Sequence, residues 1–180
     1  MLKRFWDSWG KELVAAVILA VIIRVGLAES RVVPTPSMVP TVQVGDRILA
    51  EKIFFKLFGL HRGDIIVFNP PFAPEANPIT KMIGLEDDYL KRIIGMAGDT
   101  IEVRDGKVYR NGVALDEPYI MEPMNYVYGP VKVPEGKLFV MGDNRNNSND
   151  SHAWGFLDVK EVRSRAIFRF WPLNRIGILH

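Results

Sequence analysis

Apolar residues run unbroken from Leu13 to Ile23, and after Arg24 the run resumes from Val25 to Ala28. A bilayer-spanning helix needs about 20 mostly apolar residues. Phe5, Trp6 and Trp9 extend this stretch as interfacial anchors, and Arg24 is placed to snorkel toward the far headgroups. Lys3, Arg4 and Lys11 precede the run, so the excess of positive charge keeps the N-terminus in the cytoplasm. The expected organisation is a cytoplasmic N-terminus over residues 1–11, a transmembrane anchor over 12–28 and an extracytoplasmic domain over 29–180. Two other readings compete, a cleavable signal peptide and a buried core helix. An arginine directly after the apolar stretch is unusual for the first, and no amphipathic pattern marks the second.

Beyond Glu29 the pattern changes to short β-rich runs bounded by turn residues. Strands are expected at Arg47–Glu51, Asp64–Phe68, Tyr89–Ile94, Thr100–Val103, Lys107–Tyr109, Lys137–Met141 and Ala166–Trp171. Asp105-Gly106 between two alternating runs signals a tight hairpin. Many short strands without helix-period segments predict a mainly β domain, barrel-like or built from coiled sheets. Pro70–Asp88 carries the least pattern and reads as a surface loop. Ile53–Leu60 is apolar on both faces of a notional strand. It is either a doubly buried core strand or a surface that dips into a bilayer, and Lys56 and Gly59 sit poorly in the former.

Composition narrows the chemistry. Hydrophobic residues make up 48% of the 180 residues, enough for a real core, and the net charge of +2, without a basic stripe, gives no ground for nucleic-acid binding. Having no cysteine excludes disulfides, thiolate nucleophiles and Cys-ligated zinc. His61, His152 and His180 lie far apart and show no metal-ligand spacing, so neither a metal nor a cofactor is expected.

Three segments could carry a reaction. Ser37 stands in Pro34-Thr35-Pro36-Ser37-Met38-Val39-Pro40-Thr41, where three prolines keep the chain extended and stiff. Such a segment after an apolar run is commonly a plain linker, but it can also hold a hydroxyl fixed beside an extended peptide. A serine nucleophile needs a base. His152, near Asp150, is one choice. Lys91 is another: on a strand it shares a face with Tyr89 and Ile93, and apolar surroundings would favour its neutral form. A solvent-facing lysine on an amphipathic strand fits the same pattern. The third segment, Met141 to Gly155, is a dense run of hydrogen-bonding side chains with the look of a loop locked by its own network.

Taken together and in order, these segments resemble type I signal peptidases, membrane-bound enzymes that remove signal peptides from exported proteins. The resemblance covers residues 12 to 172. It rests on the anchor, Pro34 to Thr41, Gly45-Asp46, Arg62-Gly63-Asp64 with the strand after it, Lys91-Arg92-Ile93-Ile94-Gly95 with Gly98-Asp99, and Gly142-Asp143-Asn144 through Asp150-Ser151 to Trp154-Gly155. It implies a fold of coiled antiparallel sheets and a Ser–Lys dyad, with Ser37 attacking the scissile carbonyl and Lys91 as general base. Ser148 matches a serine that hydrogen-bonds and orients the lysine. The Ser37 backbone N–H and the Thr35 hydroxyl match an oxyanion hole, and Asp143, Arg145 and Asp150 match supporting polar residues. The implied partners are preprotein signal peptides with small residues at the first and third positions before the cut, membrane lipid, and the export machinery. Met38, Val39, Ile93 and Ile94 are candidates for the pocket that reads those residues. Pro36 replaces a frequent glycine, Asn146 a common aspartate and His152 a common arginine, the last bearing on how a carboxylate such as Asp150 is paired. The rivals are a non-catalytic anchored β domain and a self-cleaving Ser–Lys regulator, although regulators of that kind are soluble and carry a DNA-binding part.

Overall fold

The structure is a computed structural model describing residues 9–22, 27–72 and 88–180, with the backbone alone for 17–22. Most of the expected anchor is present as helix α1, Lys11–Ile22, of 12 residues. No helix among the described residues is long and apolar enough to cross a membrane. Residues 1–8 and 23–26 of the expected cytoplasmic and anchor segments, and 73–87 of the expected loop, lie outside the described residues.

The rest is mainly β. The strands are β1 (Ala28–Val32), β2 (Arg47–Glu51), β3 (Ile65–Phe68), β4 (Tyr89–Met96), β5 (Thr100–Arg104), β6 (Lys107–Arg110), β7 (Val113–Ala114), β8 (Tyr128–Lys132), β9 (Lys137–Met141), β10 (Leu157–Asp158), β11 (Val162–Trp171) and β12 (Gly177–Ile178). The larger sheet curls in the order β1-β2-β11-β3-β4-β9-β10, with β12 beside β11, and the smaller runs β7-β6-β5-β8. Every pairing is antiparallel. All seven expected strands form, and β11 starts four residues earlier than the apolar run suggests. The Asp105-Gly106 hairpin also forms, with φ of 52° and 73° at its two turn residues. Positive φ at both positions is what matches the turn to the twist of the strands.

The pattern misses the edges. β1 reads Ala-Glu-Ser-Arg-Val and has no buried residue, so its sequence carries no core periodicity. β8 contains Gly129-Pro130, which an edge strand tolerates because proline's missing N–H can face away from the ladder.

Side-chain alternation along β4 and β9 divides the core. Ile93, Leu138 and Val140 join Phe68 and Phe55 in one cluster. Ile94, Phe139 and Met141 join Ile101, Val103 and Val108 between the two sheets. A third cluster gathers Val33, Met38, Val42, Ile48 and Ile65 beneath the Pro34–Thr41 segment.

Ile53–Leu60 is a correction: it contains no strand. Phe54–Phe58 form a short helix, α2. The buried Glu51 carboxylate, at the end of β2, accepts the N–H groups of Ile53, Phe54 and Phe55 at 2.6–3.1 Å and so satisfies the orphan donors of the first turn. Gly59, at φ 83°, ends the helix. Phe55 is buried while Phe54, Leu57 and Phe58 face solvent. The run was apolar on every side because one residue feeds the core and three do not.

Glu51 also accepts from Arg165 Nε at 3.0 Å, joining β2, α2 and β11. Glu51→Ala should therefore cost about 3 kcal/mol, through stranded N–H donors and the loss of the nearer of the two carboxylates that hold Arg165, Asp64 at 3.4 Å being the other. Urea denaturation of the variant checks this, and an unchanged midpoint would count against it.

Candidate active site

Ser37 sits in a 3-10 turn, Pro36–Met38, just after an extended residue at Thr35. Proline suits the first position of such a turn, since its absent N–H would have no partner there. Met38 is 1% exposed and roots the turn in the cluster beneath it. From above, Asn144 N–H donates to the Ser37 carbonyl at 3.1 Å and Asn144 Nδ2 donates to that of Pro36 at 3.2 Å. The segment is thus stapled to the loop after β9 and is not a linker.

Lys91 lies mid-strand in β4 and is 3% exposed. Its Nζ is 2.8 Å from Ser37 Oγ and 3.0 Å from the Leu90 carbonyl oxygen. Thr35 Oγ1 is 3.2 Å from Ser37 Oγ. Removal from water lowers the Lys91 pKa from 10.5 to about 8, while the negative charges of Asp150 and Asp143 pull the other way. The Tyr89 ring, 5.2 Å from Nζ, also favours the ammonium.

Both carboxylates are heavily engaged. Asp143 takes Arg92 Nε and Nη2 at 2.8 and 2.7 Å and the Thr41 hydroxyl at 2.5 Å. Asp150 accepts from Gly142 N–H at 2.9 Å, caps helix α3 (Ser151–Trp154) through His152 N–H, and meets His152 Nδ1 at 2.7 Å. His152 keeps a pairing with Asp150 despite replacing an arginine, and its ring stacks on Tyr126 at 4.4 Å. Its Nδ1 is turned to Asp150, whereas the Ser37 hydroxyl meets Lys91 and Thr35. Arg145 is fully buried, donating Nε to the Gly142 carbonyl and both terminal nitrogens to Glu117. Asn146 accepts from Asn125 N–H and donates to Glu122 and the Pro123 carbonyl, so it fastens the loop to the chain before β8.

Gly142 shows how closely these parts approach. A Cβ there would collide with the Ser37 carbonyl oxygen and Ser148 Oγ. The Ser148 hydroxyl is buried with no hydrogen-bond partner among the described residues, so the expected bond to Lys91 is not made in this structure.

Ser37 and Lys91 open onto a groove of about 500 Å³. Val32, Val33, Met38, Ile48, Val67 and Leu90 form its apolar walls, and Asn147 and Asn149 lie on its rim. Of the expected pocket residues only Met38 lines it. Val39 stands aside, and Ile93 and Ile94 point into two different cores, a correction that follows from their opposite faces on β4. Ile94 lies on the face of β4 opposite Lys91, whereas Ile93, on the same face, is taken up by the cluster of Phe55, Ile66 and Phe68.

Sequence reasoning also missed Thr41, Glu117 and Tyr119. Arg92 stood in the Lys91 motif without a role, whereas Glu117 and Tyr119 lie in a stretch with no pattern at all.

A hydroxyl and a desolvated amine thus meet at an open groove. Comparison with known proteins gives the family. The family described as signal peptidase, peptidase S26, matches residues 6–171. A probable signal peptidase I-2 of Synechocystis is 49% identical over 97% of this chain and 77% of its own length. A signal peptidase I of Leptolyngbya laminosa is 46% identical over 91% of this chain and 79% of its own. The solved structure of a signal peptidase I from Enterococcus faecalis is 31% identical, covering 59% of this chain and 95% of that one, with a TM-score of 0.47. The chain belongs to the signal peptidase family.

Burial of Lys91 has a pH signature. Between pH 8 and 10.5 the unfolded chain holds more protons on this residue than the folded one, so its contribution to stability rises with pH across that window by about 3 kcal/mol. Below pH 8 both states are charged and burial is a cost. Lys91→Met should therefore be more stable than the parent at pH 7, and the advantage should vanish near pH 10.5. Urea titrations at the two pH values test this; an advantage independent of pH would contradict it.

Proposed function

We propose that this chain removes N-terminal signal peptides from exported preproteins, with Ser37 as nucleophile and Lys91 as general base. The observation that carries the reading is the 2.8 Å contact between Lys91 Nζ and Ser37 Oγ on the floor of an open groove. Near pH 8 an appreciable share of Lys91 is neutral and can accept a proton. As Ser37 Oγ bonds to the scissile carbonyl carbon, its proton passes to Nζ. The oxygen, now negative, meets the Ser37 N–H, which has no partner within its turn, and the Thr35 hydroxyl. Collapse breaks the C–N bond, and Nζ returns the proton to the departing amine. Water then attacks the acyl ester, giving its proton to Nζ, and the Ser37 hydroxyl is restored. Ser148, buried beside Gly142 with its hydroxyl unengaged, is the group assigned to steady the amine through this cycle.

The apolar walls of the groove favour small residues at the first and third positions before the cut, by excluding larger ones. Residues 12–28 act as a single-pass anchor in the cell membrane with the catalytic domain on the extracytoplasmic side. The support is the apolar run from Leu13 and the basic residues before it. The exposed Phe54, Leu57 and Phe58 of α2 are suited to contact lipid, where preproteins leave the export machinery.

Ser37→Ala and Lys91→Ala should each lower cleavage of a preprotein by at least about a hundredfold while the protein still folds. The acid limb of kcat against pH should fall near 8. Full activity in Lys91→Ala would overturn the assignment, and a limb abolished by His152→Gln would hand the role of base to histidine. Carbonate washing of membranes tests the anchor: the chain should stay in the pellet, and release into the supernatant would refute retention.

A further inference from the structure

We infer that Glu117 and Tyr119, in the connection between β7 and β8, are positioning residues for the reaction at Ser37 and Lys91. The inference rests on the dyad proposed above. The connection leaves the smaller sheet at Ala114 and crosses over the larger one before returning at Tyr128. Leu115 and Ile120 pack against the core between the sheets, and Met121 N–H donates to the Asp143 carbonyl at 3.3 Å. Glu117 and Tyr119 lie between these holds.

Each engages a buried arginine. Glu117 accepts from Arg145 Nη1 and Nη2 at 2.8 and 2.7 Å, a bidentate pair with almost no exposure on either side. The Tyr119 hydroxyl donates to Glu117 at 2.9 Å, and its ring lies 3.9 Å from the Arg92 guanidinium carbon. The other ends of the two arginines reach the site. Arg145 Nε holds the Gly142 carbonyl, and Gly142 is packed against the Ser37 carbonyl and Ser148. Arg92 holds Asp143, whose charge acts on Lys91, and also donates to the Gly63 carbonyl. One carboxylate and one ring thus fix two cations that in turn fix the floor of the site.

The arrangement matters electrically as well as sterically. The groups that act on Arg145 are Glu117, Tyr119 and Asp143. Those that act on Lys91 are Asp150 and Asp143. Without the Glu117 charge, a buried guanidinium has Asp143 as its remaining anionic partner. The positive charge of Arg145 is then largely unbalanced, its field disfavours a second cation nearby, and the Lys91 amine gives up its proton at lower pH.

A purely architectural ion pair behaves otherwise, and the chain supplies one for comparison. Arg62 and Asp99 form a bidentate pair, with Asn111 also on Asp99, and none of the three side chains bonds to Ser37, Lys91, Arg92 or Arg145. Asp99→Asn should lower the melting temperature and leave kcat per folded molecule unchanged.

The test is Glu117→Gln in the full chain, assayed on a synthetic peptide spanning a signal-peptide cleavage site and normalised to the folded fraction. We expect kcat to fall at least about tenfold, KM to stay within about twofold, and the acid limb to move to lower pH. Tyr119→Phe keeps the ring over Arg92 and loses only the hydroxyl, so it folds and should lower kcat about two- to threefold. If Glu117→Gln fails to fold, Tyr119→Phe decides by the same readouts. A lower melting temperature with kcat and acid limb unchanged would make the connection architectural and overturn the inference; so would no change at all. Lys91→Ala in the same assay separates the layers. Activity surviving there removes the dyad itself, whereas activity lost there but intact in Glu117→Gln removes only the role of the connection.

Discussion

An amine held out of water beside two carboxylates is the constraint around which the rest is arranged. Burial alone would drive Lys91 strongly toward its neutral form, and Asp143 and Asp150 alone would hold it charged; together they leave it near 8. That balance depends on both carboxylates being occupied by other donors. Asp143 is spent on Arg92 and Thr41, and Asp150 on Gly142 and His152. Were the donors paired with either removed, its negative charge would be less balanced and would hold the Lys91 ammonium more firmly. The Arg92–Asp143 and Arg145–Glu117 pairs both lie against the segments that carry Ser37 and Lys91, whereas the Glu51–Arg165 and Arg62–Asp99 pairs join other parts of the fold.

The backbone makes that tuning possible. Lys91 and Arg92 are consecutive, so the strand sends one toward the groove and the other toward the loop after β9. Ile93 and Ile94 repeat the division one step on, feeding separate cores. A slip of one residue in β4 would exchange all four environments at once. Pairing to both β3 and β9 prevents it. Gly142 then lets the loop close on Ser37 without a side chain in the way, which places the hydroxyl, the amine and the orphan Ser148 within one small volume.

The curled sheet also leaves its edges to specialised jobs. β1 is short, charged and solvated, which protects an exposed edge, while the Val32–Ser37 segment after it becomes a wall of the groove. At the far side of β2 the chain is diverted by Glu51 into α2, whose exposed Phe54 and Phe58 rings stack on each other and face solvent.

Much of this was legible in the residues. Short β-branched and aromatic runs bounded by turn residues marked Asp64–Phe68, Tyr89–Ile94 and Lys137–Met141 as strands, which proved to be buried on both faces, and Asp105-Gly106 fixed its turn because both positions need positive φ. The resemblance drew Ser37 and Lys91 together across 54 positions. Other features were invisible for physical reasons. Ile53–Leu60 was apolar throughout, and whether such a run becomes strand or helix depended on Glu51, a capping residue outside it. Pocket residues guessed from their nearness to Lys91 failed because Ile94 faces away from it and Ile93, on its own face, is packed into the core. Glu117 and Tyr119 carried no local signal, since their meaning comes only from the arginines they meet across the sheets. The sequence by itself determined which residues could do chemistry and which runs could be strands, because those are properties of single side chains and short periods. Only the tertiary structure decided what each charge is worth, because burial and partners are set by segments far apart in the chain.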